Sequence, residues 1–282
     1  MDSLIFLAHG STDVKQQTLF SICSALLSVD YKNINPSTFR SIIYTDDISY
    51  FSNFFGELPV IEYRQIDSAI IREWKGSDNF IHRVKLQVLK HHYRQSIGKL
   101  LYADGDTIFL APVTDLFAKI SSEISLMHCL EGRLNQNYNT VCKKIRRFLR
   151  GKKWSIGGEL IEISDSIQMW NAGIIGITDK QAQALDLMIE LTDKLYLSYK
   201  KHVMEQLAVS YLLQTRSAIV GTENEVLHYY LNKDKMQLAA EQLLSRYSRF
   251  SLIEVVWQNE IEKLQAVLSV PPEKKRKWYK LF

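Results

Sequence analysis

The stretch Gly98-Lys-Leu-Leu-Tyr-Ala-Asp-Gly-Asp-Thr-Ile-Phe-Leu-Ala-Pro112 decides the fold. Its apolar run Leu100–Ala103 is too short for a helix and predicts a buried strand. Asp104 and Asp106 follow that strand, separated only by Gly105. Because residues i and i+2 of an extended chain point to the same side, both carboxylates can converge on one point. Two hard oxygen ligands at the carboxyl end of a buried strand predict a divalent-cation site that also binds phosphate oxygens.

Two other interpretations of this stretch remain open. An Asp-Gly pair flanked by alternating apolar residues is also a strong local signal for a β-hairpin turn. A haloacid-dehalogenase-like phosphatase also has two aspartates after a strand, but its motif has Thr or Val two places after the second one. Here Thr107 comes one place too early, and the stretch lies in the middle of the chain. In the cation-site interpretation, Gly105 leaves room for a bulky anion to approach the backbone.

The composition is that of an ordinary globular protein. The 282 residues are 46% hydrophobic and 23% charged, which allows a sizeable core. The cysteines (Cys23, Cys129 and Cys142) have no metal-ligand spacing, and this favours a reducing compartment over a disulfide scaffold. The first residues contain only five consecutive apolar positions and no basic flank. We therefore expect no signal peptide and no membrane span, and a cytoplasmic location.

The positive charge is concentrated in two places. Lys143–Lys153 contains seven basic residues and no acidic one, and the tail Pro271–Phe282 contains five basic residues and one acidic residue. The net charge is only +4 and no nucleic-acid motif is present, so we expect no nucleic-acid partner. We expect residues 131–156 to form a mobile basic flap with little core packing. The tail alternates cations with aromatic residues, which suits peripheral contact with an anionic membrane surface.

Short apolar runs and amphipathic stretches alternate along most of the chain. This alternation predicts an α/β fold with a mostly parallel sheet and helices on both faces. The main domain would cover residues 1–235, and helices within residues 236–282 would form a C-terminal appendage.

Several motifs, in the right order, resemble those of GT-A-fold glycosyltransferases, especially the glycogenin-like and bacterial galactosyltransferase-like group. The first is Tyr102-Ala-Asp-Gly-Asp, which resembles the "Y-x-D-x-D" segment, and the others agree with it in order and spacing over residues 1–235. They are His82-Arg83-Val84-Lys85-Leu86, Trp170-Asn171-Ala172-Gly173, Glu205-Gln206 and His228-Tyr229-Tyr230.

The resemblance implies a GT-A (Rossmann-like) fold and transfer of a sugar from a nucleotide-diphosphate sugar, expected to be UDP-linked, with retention of configuration rather than inversion. It implies that Asp104, Asp106 and His228 bind Mn²⁺ or Mg²⁺, and an imidazole ligand favours manganese. The acceptor would be a glycan, a lipid-linked or a protein acceptor in bacterial cell-surface glycan assembly. This chain departs from the family after His228, where a Gly and a Lys-Pro-Trp segment are replaced by Lys233 and Lys235.

The resemblance also implies which residues surround the sugar nucleotide. Asn171, Glu205 and Gln206 would hydrogen-bond donor or acceptor hydroxyls, and the lack of bulk at Gly173 would let the backbone approach the sugar. The residues expected to contact the nucleotide, its diphosphate or the sugar are Ala8, His9, Asp46, Asp47, Arg83, Lys85, Asp104, Gly105 and Lys233.

Two alternatives share this type of sheet. A sugar nucleotidyltransferase has a Gly- and Arg-rich loop after its first strand, which His9-Gly10-Ser11-Thr12-Asp13 lacks. A non-catalytic sugar- or nucleotide-binding protein would keep the site without the reaction. Metal-dependent hydrolysis of the donor would separate such a binding protein from an enzyme.

Overall fold

The computed structural model describes residues 1–136, 139–230 and 232–269. The tail for which membrane contact was predicted lies outside these residues. The strands are β1 (Asp2–Ala8), β2 (Phe39–Thr45), β3 (Ile61–Gln65), β4 (Leu100–Ala103), β5 (Thr107–Phe109), β6 (Ile124–Met127), β7 (Leu130–Arg133), β8 (Trp154–Ile156), β9 (Glu159–Ile161), β10 (Gln168–Trp170), β11 (Ile174–Ile177), β12 (Ala218–Gly221) and β13 (Val226–His228). The helices are α1 (Thr12–Leu27), α2 (Ile48–Phe55), α3 (Ser68–Lys75), α4 (Arg83–Tyr93), α5 (Val113–Lys119), α6 (Thr140–Leu149), α7 (Asp179–Ala182), α8 (Leu185–Ser198), α9 (Val203–Gln214), α10 (Lys233–Arg246) and α11 (Phe250–Ser269), with a short 3-10 helix at Tyr31–Asn33.

A central seven-stranded sheet has the order β12-β6-β11-β4-β1-β2-β3. Neighbouring strands are parallel except β11, which runs antiparallel to both β4 and β6. The predicted α/β class with a mostly parallel sheet is confirmed. Because β11 is reversed, its first residues lie at the same sheet edge as the last residues of β4.

Alternate residues of the central strands feed two hydrophobic cores, one on each face of the sheet. Leu100 and Tyr102 of β4 belong to the core under α4, α8 and α9, whereas Leu101 and Ala103 belong to the core under α1, α2, α10 and α11. This is the period-2 alternation of a strand buried on both faces, and it confirms helices on both faces.

The C-terminal helices α10 and α11 are present as predicted and share the core of the main domain. Ile253 of α11 is fully buried, and the ring of Trp257 lies 5.2 Å from that of Phe20 on α1. Among the residues that the structure describes, no helix is both long and apolar enough to cross a bilayer.

The two aspartates do not form a hairpin turn. Strand β4 pairs with β1 and β11, whereas β5 pairs antiparallel with β13. The hairpin interpretation is therefore wrong, because the strands on either side of Gly105 do not pair with each other. A Cβ atom at Gly105 would overlap the hydroxyl of Thr18 on α1. The glycine thus permits close packing of α1. Gly105 also lines the cavity, and its role in anion approach stays a prediction.

The segment 131–156 contains regular structure that the sequence patterns did not reveal. Strand β7 pairs with β10, and α6 buries Cys142, Ile145 and Leu149 in the core. These three residues have the i, i+3, i+7 spacing of one helix face. The expectation of little core packing is wrong for this segment, while its mobility stays a prediction.

Candidate functional site

A cavity of about 940 Å³ lies at the carboxyl ends of β1 and β4. His9 follows β1, and Asp104, Gly105 and Asp106 follow β4, so the ends of two parallel strands supply one wall. Burial lowers the pKa of His9 although Asp46 opposes the shift, which favours a neutral imidazole there. This edge of an open α/β sheet is where ligands generally bind.

Asp104, Asp106 and His228 converge on this wall. One ligand atom from each side chain can be chosen so that all three lie within 4.8 Å of one another. His228 reaches the aspartates because β13 pairs with β5, with His228 opposite Thr107. The predicted metal-binding residues are thus brought together, in a geometry that could hold a metal ion.

The hydrogen bonds of His228 settle which of its nitrogens faces the aspartates. Its Nδ1 lies 2.9 Å from Oδ1 of Asn171, and that oxygen also accepts the backbone N–H of Gly173 at 2.9 Å. An oxygen that accepts a backbone N–H is fixed as an acceptor, so Nδ1 of His228 carries the proton. Nε2 then faces Oδ1 of Asp106 at 3.1 Å. A neutral imidazole nitrogen and a carboxylate oxygen at this distance need a proton or a metal ion between them.

Asp106 is a buried carboxylate held between two cationic or potentially cationic groups. Its second oxygen lies 2.7 Å from Nζ of Lys233, whose side chain is 50% exposed on the cavity wall. Burial by itself would raise the pKa of Asp106, but the hydrogen bond and charge of His228 and the charge of Lys233 lower it well below its usual value. Asp106 is therefore ionised at neutral pH.

Lys85 lies beneath the other aspartate. Its Nζ is 3.4 Å from the carboxylate of Asp104, 3.7 Å from that of Glu205, and 3.0 Å from the carbonyl oxygen of Ala172, to which it donates. Only 6% of Lys85 is exposed. Burial would lower its pKa, but the carboxylates of Asp104 and Glu205 raise it above its usual value. Lys85 is thus a buried, charged lysine that lines the cavity, and its contact with a diphosphate or a sugar stays a prediction.

Glu205 is the buried partner of Lys85 at the start of α9. It is 2% exposed, and burial raises its pKa to about 7 against the opposing charge of Lys85. Its Oε1 has no hydrogen-bond partner within the described residues. Glu205 also lines the cavity, but Oε1 itself is inaccessible to solvent. This oxygen is therefore a buried acceptor without a partner, which a bound hydroxyl reaches only if the side chain moves.

Asn171 and Gln206 are joined by a residue that sequence analysis missed, Glu131. Nδ2 of Asn171 donates to one carboxylate oxygen of Glu131 at 2.9 Å, and Nε2 of Gln206 donates to the other at 2.7 Å. All three residues line the cavity. The sequence did contain a signal for Glu131. This residue comes after β6, and Asp104 comes after β4, so both follow strands that end at the same edge of the sheet.

Gly173 makes room for the imidazole of His228. A Cβ atom at this position would overlap Nδ1 and Cε1 of His228. The glycine of the Asn171-Ala172-Gly173 segment is therefore needed to place the histidine. Gly173 also lines the cavity, and the approach of a sugar to its backbone stays a prediction.

Four predicted contact residues are not among those that line the cavity in the described part of the chain: Ala8, Asp46, Asp47 and Arg83. Arg83 donates to Asp193 of α8 at 2.7 Å and to the carbonyl of Trp74 at 2.8 Å. The contact of these four residues with the sugar nucleotide stays a prediction.

The two aspartates after β2 have local partners. Asp46 accepts the backbone N–H of Gly10 at 2.8 Å and lies 3.2 Å from Lys15. Asp47 caps α2 by accepting the N–H of Tyr50 at 3.1 Å. Both carboxylates thus stabilise the loops that follow β1 and β2.

No protein-family model matches the chain, and no curated protein matches it. Among solved structures, it is similar to the galactosyltransferase LgtC in complex with donor and acceptor sugar analogues, with 16% identity, 79% of this chain and 74% of that chain covered, and a TM-score of 0.49. An active-site mutant of LgtC gives 17% identity, coverages of 79% and 73%, and a TM-score of 0.48. The glycosyltransferase GlyE of Streptococcus pneumoniae gives 13% identity, coverages of 97% and 53%, and a TM-score of 0.46. These proteins are glycosyltransferases, the class that the sequence resemblance indicated. At such identities the similarity is one of fold alone, so the function must follow from the site.

Proposed function

We propose that the protein is a metal-dependent glycosyltransferase that moves a sugar from a nucleotide-diphosphate sugar, UDP-linked, to an acceptor. The observation that carries this proposal is the group Asp104, Asp106 and His228 on the wall of a cavity of about 940 Å³. A volume of this order suits a ligand as large as a sugar nucleotide. A glycan, a lipid-linked or a protein acceptor in bacterial cell-surface glycan assembly, and retention of configuration, are parts of the same proposal and follow from the sequence resemblance.

The side chains present fit a divalent cation. Two carboxylates supply hard oxygen ligands, and Nε2 of His228, with its proton on Nδ1, supplies a nitrogen ligand. A mixed oxygen and imidazole set favours Mn²⁺ over Mg²⁺. When bound, such a cation neutralises the charge that develops on a diphosphate leaving group.

The chain's own residues would orient the substrate and the ligands. Tyr102 donates to Asp104 at 2.9 Å and, together with Lys85, fixes that carboxylate. Lys233, half exposed on the cavity wall, places a positive charge where a diphosphate would lie. Glu205 lies on the cavity wall and holds Lys85, and Asn171 and Gln206 hold Glu131 towards the same cavity.

The proposal predicts that UDP-sugars stabilise the protein only together with Mn²⁺. A ligand that binds the folded state alone stabilises it by RT ln(1 + [L]/Kd), which is about 2.7 kcal/mol at a hundredfold excess over Kd. We expect a thermal-shift screen of nucleotide sugars to show an upward shift in the presence of Mn²⁺ and none in the presence of chelator. We also expect the same sugar nucleotide to release its nucleoside diphosphate slowly when Mn²⁺ is present.

The outcomes separate the alternatives. A metal-dependent shift without any nucleoside diphosphate release indicates a non-catalytic binding protein. Hydrolysis of simple phosphate esters without a sugar nucleotide indicates a phosphatase. Formation of a sugar nucleotide from a sugar phosphate and a nucleoside triphosphate indicates a nucleotidyltransferase.

The close approach of the His228 imidazole to Gly173 predicts the effect of Gly173→Ala. The added methyl group would displace the imidazole, because a Cβ atom there overlaps its ring. Disturbing the support of a metal ligand typically costs 10–100-fold in metal affinity, so we expect Mn²⁺ binding to weaken by about that factor in isothermal titration.

A matched control for this glycine is Gly221→Ala on β12. There a Cβ atom would meet only the carboxylate end of Glu223, a flexible side chain that can move aside. We expect Gly221→Ala to bind Mn²⁺ as the wild-type protein does. Undiminished Mn²⁺ binding by Gly173→Ala would contradict the assignment of His228 as a ligand.

A further inference from the structure

Helix α6 carries the basic cluster and is fixed to the body of the protein by its other face. Cys142, Ile145 and Leu149 of this helix are buried in the core. The adjoining hairpin of β8 and β9 packs beside its end, with the ring of Trp154 6.1 Å from that of Phe148. The cations between residues 143 and 153 therefore lie on, or next to, elements that are packed against the core.

The outward side of this segment carries cations without acidic partners in the described part of the chain, and we name this surface the α6 basic face. Lys143 and Arg147 have the i, i+4 spacing of one helix side, opposite the buried residues, and Arg150 follows directly after the last residue of the helix. Two cations of the segment have acidic partners: Arg146 lies 2.9 Å from Asp165, and Lys153 lies 4.0 Å from Glu162. The exposed cations without an acidic partner in the described part of the chain form the α6 basic face: Lys143, Lys144, Arg147, Arg150 and Lys152.

Two further features mark this surface. Exposed aliphatic side chains lie in the same segment, since Val141 is 47% exposed and Leu160 on β9 is 68% exposed. The first turn of α6 also reaches the candidate site, because Asn139, Val141 and Cys142 line the cavity. The α6 basic face is thus continuous with one wall of the cavity.

We propose that the α6 basic face docks the protein on an anionic phospholipid surface, beside the cavity that Val141 helps to line. Clusters of four to eight cations on a helix attract anionic headgroups, with about 1 kcal/mol for each cation near the surface. Exposed aliphatic side chains among the cations suit the headgroup boundary better than a fully polar polyanion. Because the apolar side of α6 is buried in the protein, the contact is electrostatic and peripheral, and salt weakens it. This goes beyond the proposed function, since binding to the surface needs neither donor nor metal.

The test compares two triple variants of the full chain. Lys143→Glu, Lys144→Glu and Arg147→Glu reverse three exposed cations of the α6 basic face. The control, Arg72→Glu, Arg246→Glu and Arg249→Glu, reverses three exposed cations on other elements and changes the net charge equally. Binding is measured by co-sedimentation with phosphatidylcholine vesicles with and without phosphatidylglycerol. Thermal unfolding of each variant verifies folding.

The expected result is that wild type and control bind vesicles containing phosphatidylglycerol, and that the α6 variant binds them at least about tenfold more weakly. Binding of the α6 variant equal to that of the control overturns the proposal. If, in addition, deletion of residues 273–282 abolishes binding, the tail and not α6 holds the protein at the membrane. No vesicle binding by the wild type, together with retention on heparin that the α6 variant loses, also overturns it and identifies a polyanionic partner.

Discussion

Asp106→Asn is expected to reduce sugar transfer by at least about a hundredfold while the protein remains folded, because it removes a charged ligand at constant size. The same holds for Asp104→Asn. For Asp106 the change also costs stability at neutral pH, since the ionised carboxylate is paired with Lys233. A carboxylate whose pKa is lowered in the folded state stabilises above its unfolded pKa, and that contribution is lost as pH falls through the folded pKa. The stability difference between wild type and Asp106→Asn should therefore shrink in strong acid.

The assay is Mn²⁺-dependent release of nucleoside diphosphate from a panel of sugar nucleotides, with wild type beside both variants. Asp115→Asn on α5 is the matched control, since it neutralises an exposed carboxylate outside the cavity. We expect this control to keep wild-type activity. Full activity in either Asp104→Asn or Asp106→Asn, or wild-type activity that is indifferent to chelator, would remove the metal-site proposal.

The second large effect concerns Lys85. Lys85→Met keeps the length of the side chain and removes its charge, which leaves Glu205 buried without its cation. Removing one partner of a buried ion pair typically costs 3–5 kcal/mol, and we expect an unfolding free energy lower by about 3 kcal/mol at pH 8. Transfer activity should be lost as well, because Asp104 loses the cation that holds it.

The raised pKa of Glu205 determines how the stability loss in Lys85→Met depends on pH. The pKa of Glu205 is raised to about 7 even with Lys85 present, and removing Lys85 raises it further. A carboxylate with a raised folded pKa destabilises the fold progressively as pH rises from its unfolded pKa to its folded pKa. Chemical denaturation should therefore show a larger loss for Lys85→Met at pH 8 than at pH 5.

A double variant separates the ion pair from a general packing defect. Adding Glu205→Gln to Lys85→Met removes the buried charge, so stability at pH 8 should recover in part while activity does not. If Lys85→Met loses the same unfolding free energy at pH 5 and pH 8, and the double variant recovers none of it, Lys85 does not stabilise the fold by compensating the charge of Glu205.

Much of the fold could be predicted from local patterns. Short apolar runs such as Leu100–Ala103 identified the central strands, because a strand buried on both faces needs every residue apolar. The reversal of β11 could not be predicted, since strand direction depends on which partners it meets in space. Helix α6 was missed because its four cations obscured a buried face of only three residues.

The candidate site was predicted in part. Asp104, Asp106 and His228 were brought together, but their hydrogen-bonded supports depend on tertiary contacts between distant elements. The prediction that both Arg83 and Lys85 face the site conflicts with helix geometry. Residues two apart on a helix point to opposite sides, so only one of the two cations can face the cavity. The structure turns Lys85 towards it and Arg83 towards Asp193.

The pairing of β5 with β13 has a consequence for when the site can form. This two-stranded ribbon lies outside the central sheet, and it joins His228 to Asp106 across 122 positions of the chain. Closing so long a loop costs chain entropy before any contact compensates for it. On the ribosome the aspartates emerge long before the histidine, so a growing chain that already has β1, β2 and β4 still lacks one ligand. The complete ligand set is therefore a property of the nearly finished protein, and early strands alone offer the ion only two carboxylates.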